Sequence, residues 1–192
     1  MSIEPRQHRQ RGATLIELII FIIIVSVGVV GLVSVMNPMI MHSADPMRTK
    51  QMAAIAESLL NEVLHQPFTW CDPDDANAST ALSYAGCASA PQNTLGPTSG
   101  ESRNGTSGAF FDNVRDYGGF AMDDIADPSG SNAVSGYRAE VSEAEVGASF
   151  GEVADAAVSV TVTVCRTASG AVCAGRESFS LTGYRFRYAP RI

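Results

Sequence analysis

The apolar positions of this chain are distributed unevenly, and the unevenness divides it into regions. From Leu18 to Met36 the sequence runs 19 residues without a charge, dominated by Ile, Val and Leu. Counted back to Ala13 the run is 24 residues, broken only by Glu17. As a helix it would extend ~36 Å at about 1.5 Å per residue, enough to cross a hydrocarbon core of roughly 30 Å. Its β-branched residues are poor helix formers in water. In lipid, where every backbone group must be satisfied within the segment, helix is the available conformation.

Further along, the period changes. Met52, Ile55, Ala56, Leu59, Leu60 and Val63 recur at helical spacing, with Lys50, Glu57 and Glu62 off that stripe, which predicts an amphipathic helix over Met47–Leu64 packed against a sheet. Asn37-Pro38 and Asp45-Pro46 predict a kink or restart between the two helical stretches. Asp45 and Pro46 form a good N-cap and first-turn pair. Gln66-Pro67 predicts the end of the helix. Residues 68–132 are rich in Pro, Gly, Ser, Asn and Asp and read as loops with little regular structure. Val134–Ser142, Ala156–Cys165 and Glu177–Tyr188 alternate as half-buried antiparallel strands do, most clearly in Val158-Ser159-Val160-Thr161-Val162-Thr163-Val164. The expected fold class is α+β: a long N-terminal helix whose amphipathic half lies on a small antiparallel sheet of three or four strands. No repeat of 20–50 residues is present.

Charge adds a direction. The chain of 192 residues has a formal net charge of -7. Residues 1–12 hold three of the 13 basic side chains (Arg6, Arg9 and Arg11) and one of the 20 acidic ones (Glu4), which leaves an acidic body behind a basic tip. Positive flanks stay in the cytoplasm, so the body is expected on the far side of the membrane. A body without a basic stripe argues against nucleic acid as a partner. An ordinary cleaved signal peptide has an apolar region of about 7–15 residues and a small-x-small cleavage site. This run is longer, and Met36-Asn37-Pro38 follows it. A plain membrane anchor explains the length and flanks but leaves Glu17 without a purpose, and an acid inside a spanning helix usually marks function.

Residues 11–20 read Arg-Gly-Ala-Thr-Leu-Ile-Glu-Leu-Ile-Ile. A basic leader, a glycine, five residues ending in Glu and then an unbroken apolar run resemble the processing signal of type IV prepilins. The resemblance implies cleavage by prepilin peptidase between Gly12 and Ala13, and N-methylation of Ala13. Ala13 departs from the Phe that the family prefers there. The family's acidic residue at mature position five falls on Glu17. A carboxylate in a hydrocarbon filament core needs a positive partner, and a neighbour's N-terminal ammonium is the nearest one. Glu17 is thus expected to act in assembly.

Ala56–Leu64 with Gln66-Pro67-Phe68, Phe111–Tyr117 and Leu181–Arg185 are similar to minor pilins of the mannose-sensitive haemagglutinin (MSHA) pilus, the D-type group in particular. That implies a structural subunit rather than an enzyme. The implied partners are other pilin subunits through the N-terminal helix, prepilin peptidase, the inner-membrane assembly platform and membrane lipid. The implied path leads from a single-pass inner-membrane precursor, C-terminal domain periplasmic, to the pilus filament. The expected organisation is a leader at 1–12, a filament-core helix at 13–36, a kinked amphipathic helix at 37–66 and a loop-rich β domain at 67–192. Two alternatives remain open: a type II secretion minor pseudopilin, which shares the N-terminal half, and a single-span periplasmic binding or sensor protein.

Four cysteines in an exported body allow three pairings. Cys165 and Cys173 flank a short turn between two strands, which favours their pairing and leaves Cys71 with Cys87. No C-x₂-C pair accompanies them, and His8, His42 and His65 all belong to the N-terminal part, so no zinc site is expected. The acidic groups Asp72, Asp74, Asp75 and Asp123, Asp124, Asp127 lack the calcium-loop spacing and read as solvated loop acids. No nucleophile elbow, phosphate loop or globular histidine points to catalysis, and no cofactor is expected.

Overall fold

The computed structural model describes residues 14–98, 100–105, 109–166 and 171–187, with 35–45 described by backbone alone. One α-helix and four strands follow in chain order: α1 (Leu15–His65), β1 (Ala121–Ile125), β2 (Val134–Glu145), β3 (Ala157–Arg166) and β4 (Ser178–Phe186). The chain divides into two units, Met1–Met47 and Arg48–Ile192.

The first unit carries the apolar half of α1. Leu15–Ser34 has a mean hydropathy of 3.0 and none of it is buried. Its large side chains are exposed all round, from Ile19 at 44% to Leu15 at 78%. A helix apolar on every face belongs in lipid or in the core of an assembly, because no single stripe exists to bury. Of the kink or restart expected at the prolines, the restart does not occur: α1 is helical through both Pro38 and Pro46. Each proline removes one backbone donor, a loss that the helical turns on both sides outweigh.

In the second unit, the rest of α1 packs its stripe on the sheet. Met52, Ala56, Leu59 and Val63 are buried, with Ile55, Leu60 and Leu64 at the margins. Glu62 lies beside the stripe, half-buried and paired with Arg103. The helix stops at His65, immediately before Gln66-Pro67.

The sheet is an antiparallel meander in the order β1-β2-β3-β4. Val158, Val160, Val162 and Val164 project from β3 into the core at alternate positions, and Tyr137, Ala139 and Val141 do so from β2. Val162 lies between Val141 on one side and Leu181 on the other. Phe68, Phe111, Val114 and Tyr117 close the core from the loops. Helix and sheet approach closely at Gly183, where an added Cβ would sit 2.6 Å from Leu64 Cδ1. The arrangement is α+β and pilin-like.

The region 68–132 is less irregular than its composition suggests. It contains 3₁₀ turns at Tyr84–Gly86 and Val114–Tyr117, and it contains β1. β1 pairs in register with β2 from Ala121 to Asp123, then slips, and Asp124 takes a φ of 51°. Cys71 is bonded to Cys87 and Cys165 to Cys173, each with Cα atoms 5.5 Å apart. The first closes the loop that follows α1, and the second joins the end of β3 to the approach to β4.

Candidate functional site

The residues with the strongest sequence signal lie at the start of α1. Gly12 and Ala13 fall outside the described residues. Thr14 precedes the helix, and its carbonyl accepts from the amides of Glu17 (3.1 Å) and Leu18 (3.2 Å). Glu17 is therefore in the first turn, where a carboxylate complements the positive end of the helix dipole. It is exposed, and it is the only charged side chain between Leu15 and Ser34. One acid is thus displayed at the tip of an otherwise apolar rod.

A second polar assembly lies in the globular unit, built by loops over the sheet. Asn113 caps the turn Val114–Tyr117: its side chain accepts from the Arg115 amide, while Asp116 accepts from the Asn113 amide at 2.7 Å. Arg115 and Asp116 are fully buried. Asp116 also accepts from Gln92 Nε2, which ties two loops together. Arg115 Nη2 donates to Glu145 at 2.7 Å. The Arg187 guanidinium lies 3.8 Å from the Trp70 ring centroid and 4.2 Å from that of Phe68, and it donates to the Tyr84 hydroxyl at 3.1 Å. Rings stacked on a desolvated guanidinium hold the loop after α1 to the end of β4.

Elsewhere in the globular unit, Arg103 grips Glu62 with two bonds of 2.6 and 2.7 Å. The Tyr117 hydroxyl donates to the same carboxylate at 2.8 Å. Beside this triad is a cleft of ≈ 320 Å³ that Phe110, Phe111 and Asp112 help to line.

The acidic residues separate differently from the sequence grouping. Asp75 turns away from Asp72 and Asp74 and accepts from the amides of Asn77, Ala88, Ser89 and Ala90. These bonds hold its carboxyl well below the usual range. Asp112 takes its place, so that Asp72, Asp74 and Asp112 offer oxygens within 4.8 Å of one another. Asp123 pairs with Arg138, Asp124 accepts from the Gly136 amide, and Asp127 organises Ser129, Ser131 and Asn132. Those three acids do not converge.

Crowding of carboxylates in a partly dry site has a cost. Burial, then the charges of Asp72, Asp116 and Asp74, push Asp112 up to about 7. Burial likewise raises Glu101 to about 7 and Asp116 to about 6. A carboxyl with a raised native pKa binds its proton more tightly when folded. Its stabilisation is present below the unfolded value of 3.8 for Asp or 4.5 for Glu, and is lost as the pH rises through the native value. The melting temperature of the full chain in detergent is therefore expected to fall between pH 4.5 and 7.5. Asp112→Asn should flatten that slope and raise the melting temperature at pH 7.5. An unchanged slope would refute the assignment.

Sequence reading did not single out Arg103, Arg115 or Arg187. Arg103 stands in a polar stretch, Arg115 beside Asp116, and Arg187 in an aromatic run with Arg185, and the burial of each comes from segments distant in sequence. The spacing Asn113-x-x-Asp116 was the one available signal, since it places an N-cap and its reciprocal acceptor three residues apart.

No curated protein and no solved structure matches the chain. Residues 7–33 match the family model for the prokaryotic N-terminal methylation motif. The match spans Arg9 and Arg11 of the leader, Gly12, Ala13, Glu17 and most of the apolar helix. At its N-terminus the chain thus carries the motif of type IV pilin-like and pseudopilin precursors, which prepilin peptidase processes.

Proposed function

We propose that the protein is a minor type IV pilin of the MSHA type, made as an inner-membrane precursor and drawn into, or priming, a pilus filament. Prepilin peptidase cuts between Gly12 and Ala13 and methylates Ala13. The leader stays in the cytoplasm and the β domain is periplasmic until assembly. Apolar helices of neighbouring subunits then bundle in the fibre core. The role is structural. The observation that carries this reading is Glu17, a single acid in the first turn of an otherwise apolar helix, inside a segment matching the methylation motif. An anchor that only tethers gains nothing from an acid there, whereas a polymerising helix gains a register mark. The short resemblances at Ala56–Leu64, Phe111–Tyr117 and Leu181–Arg185 favour the MSHA group over a secretion pseudopilin.

Mass spectrometry of the subunit from sheared fibres is expected to show an N-terminus at Ala13 carrying one methyl group. Recovery of the chain with Met1 or Arg11 still attached would overturn the proposal.

A further inference from the structure

The two edges of the sheet are built differently. β1 is five residues long, its register slips between Asp123 and Ile125, and it carries two acids. Short length, irregular pairing and charge are the usual protections of an edge strand against pairing with another chain. β4 has little of that protection. It is nine residues long, pairs with β3 from Ala157 to Cys165 without a shift, and contains no proline and one charge, Arg185. The backbone of Ser178–Phe186 is bonded only to β3 among the described residues. Its other side therefore presents unpaired N–H and C=O groups at alternate residues.

An apolar margin runs beside this edge. The core-side residues of β4, from Phe179 to Arg185, stand opposite the buried valines of β3, yet no position of β4 is itself buried. Phe179 and Leu181 pack against the core and remain half-buried, as do Leu60 and Leu64 of α1. Those two leucines lie over Gly183, where an added Cβ would be 2.6 Å from Leu64 Cδ1 and 3.4 Å from Leu60 Cδ1. The helix thus roofs the last strand and leaves apolar surface for one more. Arg185 closes one end of this margin. Its Nη2 donates to the Gln66 carbonyl at 3.4 Å and its Nε has no partner. Among the described residues no carboxylate is within ion-pair distance of it.

We propose that the β4 edge, roofed by α1, docks an antiparallel strand from another polypeptide, apolar at alternate positions and carrying an Asp or Glu opposite Arg185. Backbone bonds to an open edge supply affinity in this mode, and alternate side chains supply specificity. An inward charge on an edge strand rejects a strand that brings no counter-charge, so Arg185 selects an acid. A second copy of this chain supplies no such strand. Its β4 holds no acid, and in its β1 Asp123 is paired with Arg138 and Asp124 accepts from the Gly136 amide. The edge lies outside the apolar helix half on which the filament reading rests.

The probe is a capped peptide, Thr-Glu-Thr-Val-Thr-Val-Thr-Val-Thr, whose Glu would stand opposite Arg185 and whose valines opposite Gly183, Leu181 and Phe179. Titration calorimetry on the full chain in detergent is expected to show saturable binding. Methylating alternate backbone nitrogens of the peptide should weaken it at least about tenfold, because several edge bonds are lost. Replacing its Glu with Gln should weaken it about fourfold, the scale of a half-exposed ion pair, and the Arg185→Gln protein should lose that preference. Hydrogen exchange should slow at amides of Ser178–Phe186 on peptide addition and not at Ala121–Ile125. The peptide comparisons and the exchange pattern use the wild-type protein, so they decide the matter even if Arg185→Gln misfolds. No binding, equal binding of the methylated peptide, or protection at β1 instead of β4 would overturn the proposal. So would a dimer in sedimentation whose β4 amides are already protected without peptide, since the edge would then belong to a second copy.

Discussion

Glu17→Ala is expected to cut the entry of this subunit into fibres by at least about tenfold while leaving cleavage after Gly12 intact. The expectation follows from where the acid sits. Every other side chain from Leu15 to Ser34 is uncharged, and the large ones are exposed, so an assembly that buries this helix also surrounds Glu17 with hydrocarbon. A carboxylate there is tolerable only with a cation beside it, and removing one member of a buried pair costs about 3–5 kcal/mol. In the proposed filament that cation is the new N-terminal ammonium of the adjoining subunit. Truncating Glu17 to alanine leaves that ammonium unpaired in every contact the subunit makes. At 1.4 kcal/mol per factor of ten, even the low end of the range exceeds the tenfold stated. The measurement is the ratio of subunit in sheared fibres to subunit in membranes, wild type against variant. An unchanged ratio would remove the reason for treating the helix as a polymerisation element and would revive the single-span tether.

The elements most legible in the sequence are those with a strong local period. The apolar run of α1, the stripe from Met52 to Val63 and the valine alternation of β3 could be read directly, because one face of each is buried by one kind of contact. Elements set by distant contacts were not legible in the same way. β1 is five residues long and carries Asp123 and Asp124, so its composition resembles the loops around it. It is a strand because β2 presents a partner edge and Arg138 meets Asp123 at 3.1 Å. The prolines mark the other limit: a breaker read alone predicts a break, but at Pro38 and Pro46 the helical turns on both sides carry the backbone through.

The same division applies to the site. The methylation motif is one continuous stretch of sequence, so its residues adjoin and can be read there. The loop assembly is the reverse, since Glu62, Arg103 and Tyr117 are brought together over 55 residues by the fold. Asp72 and Asp112 lie 40 positions apart yet share one acidic cluster with Asp74. Grouping acids by adjacency put Asp75 in that cluster, although its carboxyl is committed to four backbone amides.

Arg103→Met is expected to lower the stability of the globular unit by about 3 kcal/mol, toward the lower end of the range for breaking a buried pair. The Arg103 side chain is 6% exposed and its partner Glu62 is 18% exposed, so water screens the pair only weakly. Three elements depend on it: Glu62 brings α1, Arg103 brings the loop before Phe110, and Arg103 Nη1 donates to the Ala126 carbonyl at 2.9 Å just beyond β1. Without the guanidinium, Glu62 keeps the Tyr117 hydroxyl and, among the described residues, remains a half-buried charge without a cation. Burial and the Glu62 charge raise the Tyr117 pKa, so the phenol stays neutral, and its one donated hydrogen bond does not replace the lost cation. The double variant Glu62→Gln/Arg103→Met removes both charges and should recover much of the loss, because neither ion is then left stranded. Denaturant unfolding of the full chain in detergent, followed by near-ultraviolet circular dichroism, reads both numbers. A loss below about 1 kcal/mol in the single variant would place the pair with exposed ion pairs and show that the loop is held by its apolar contacts instead.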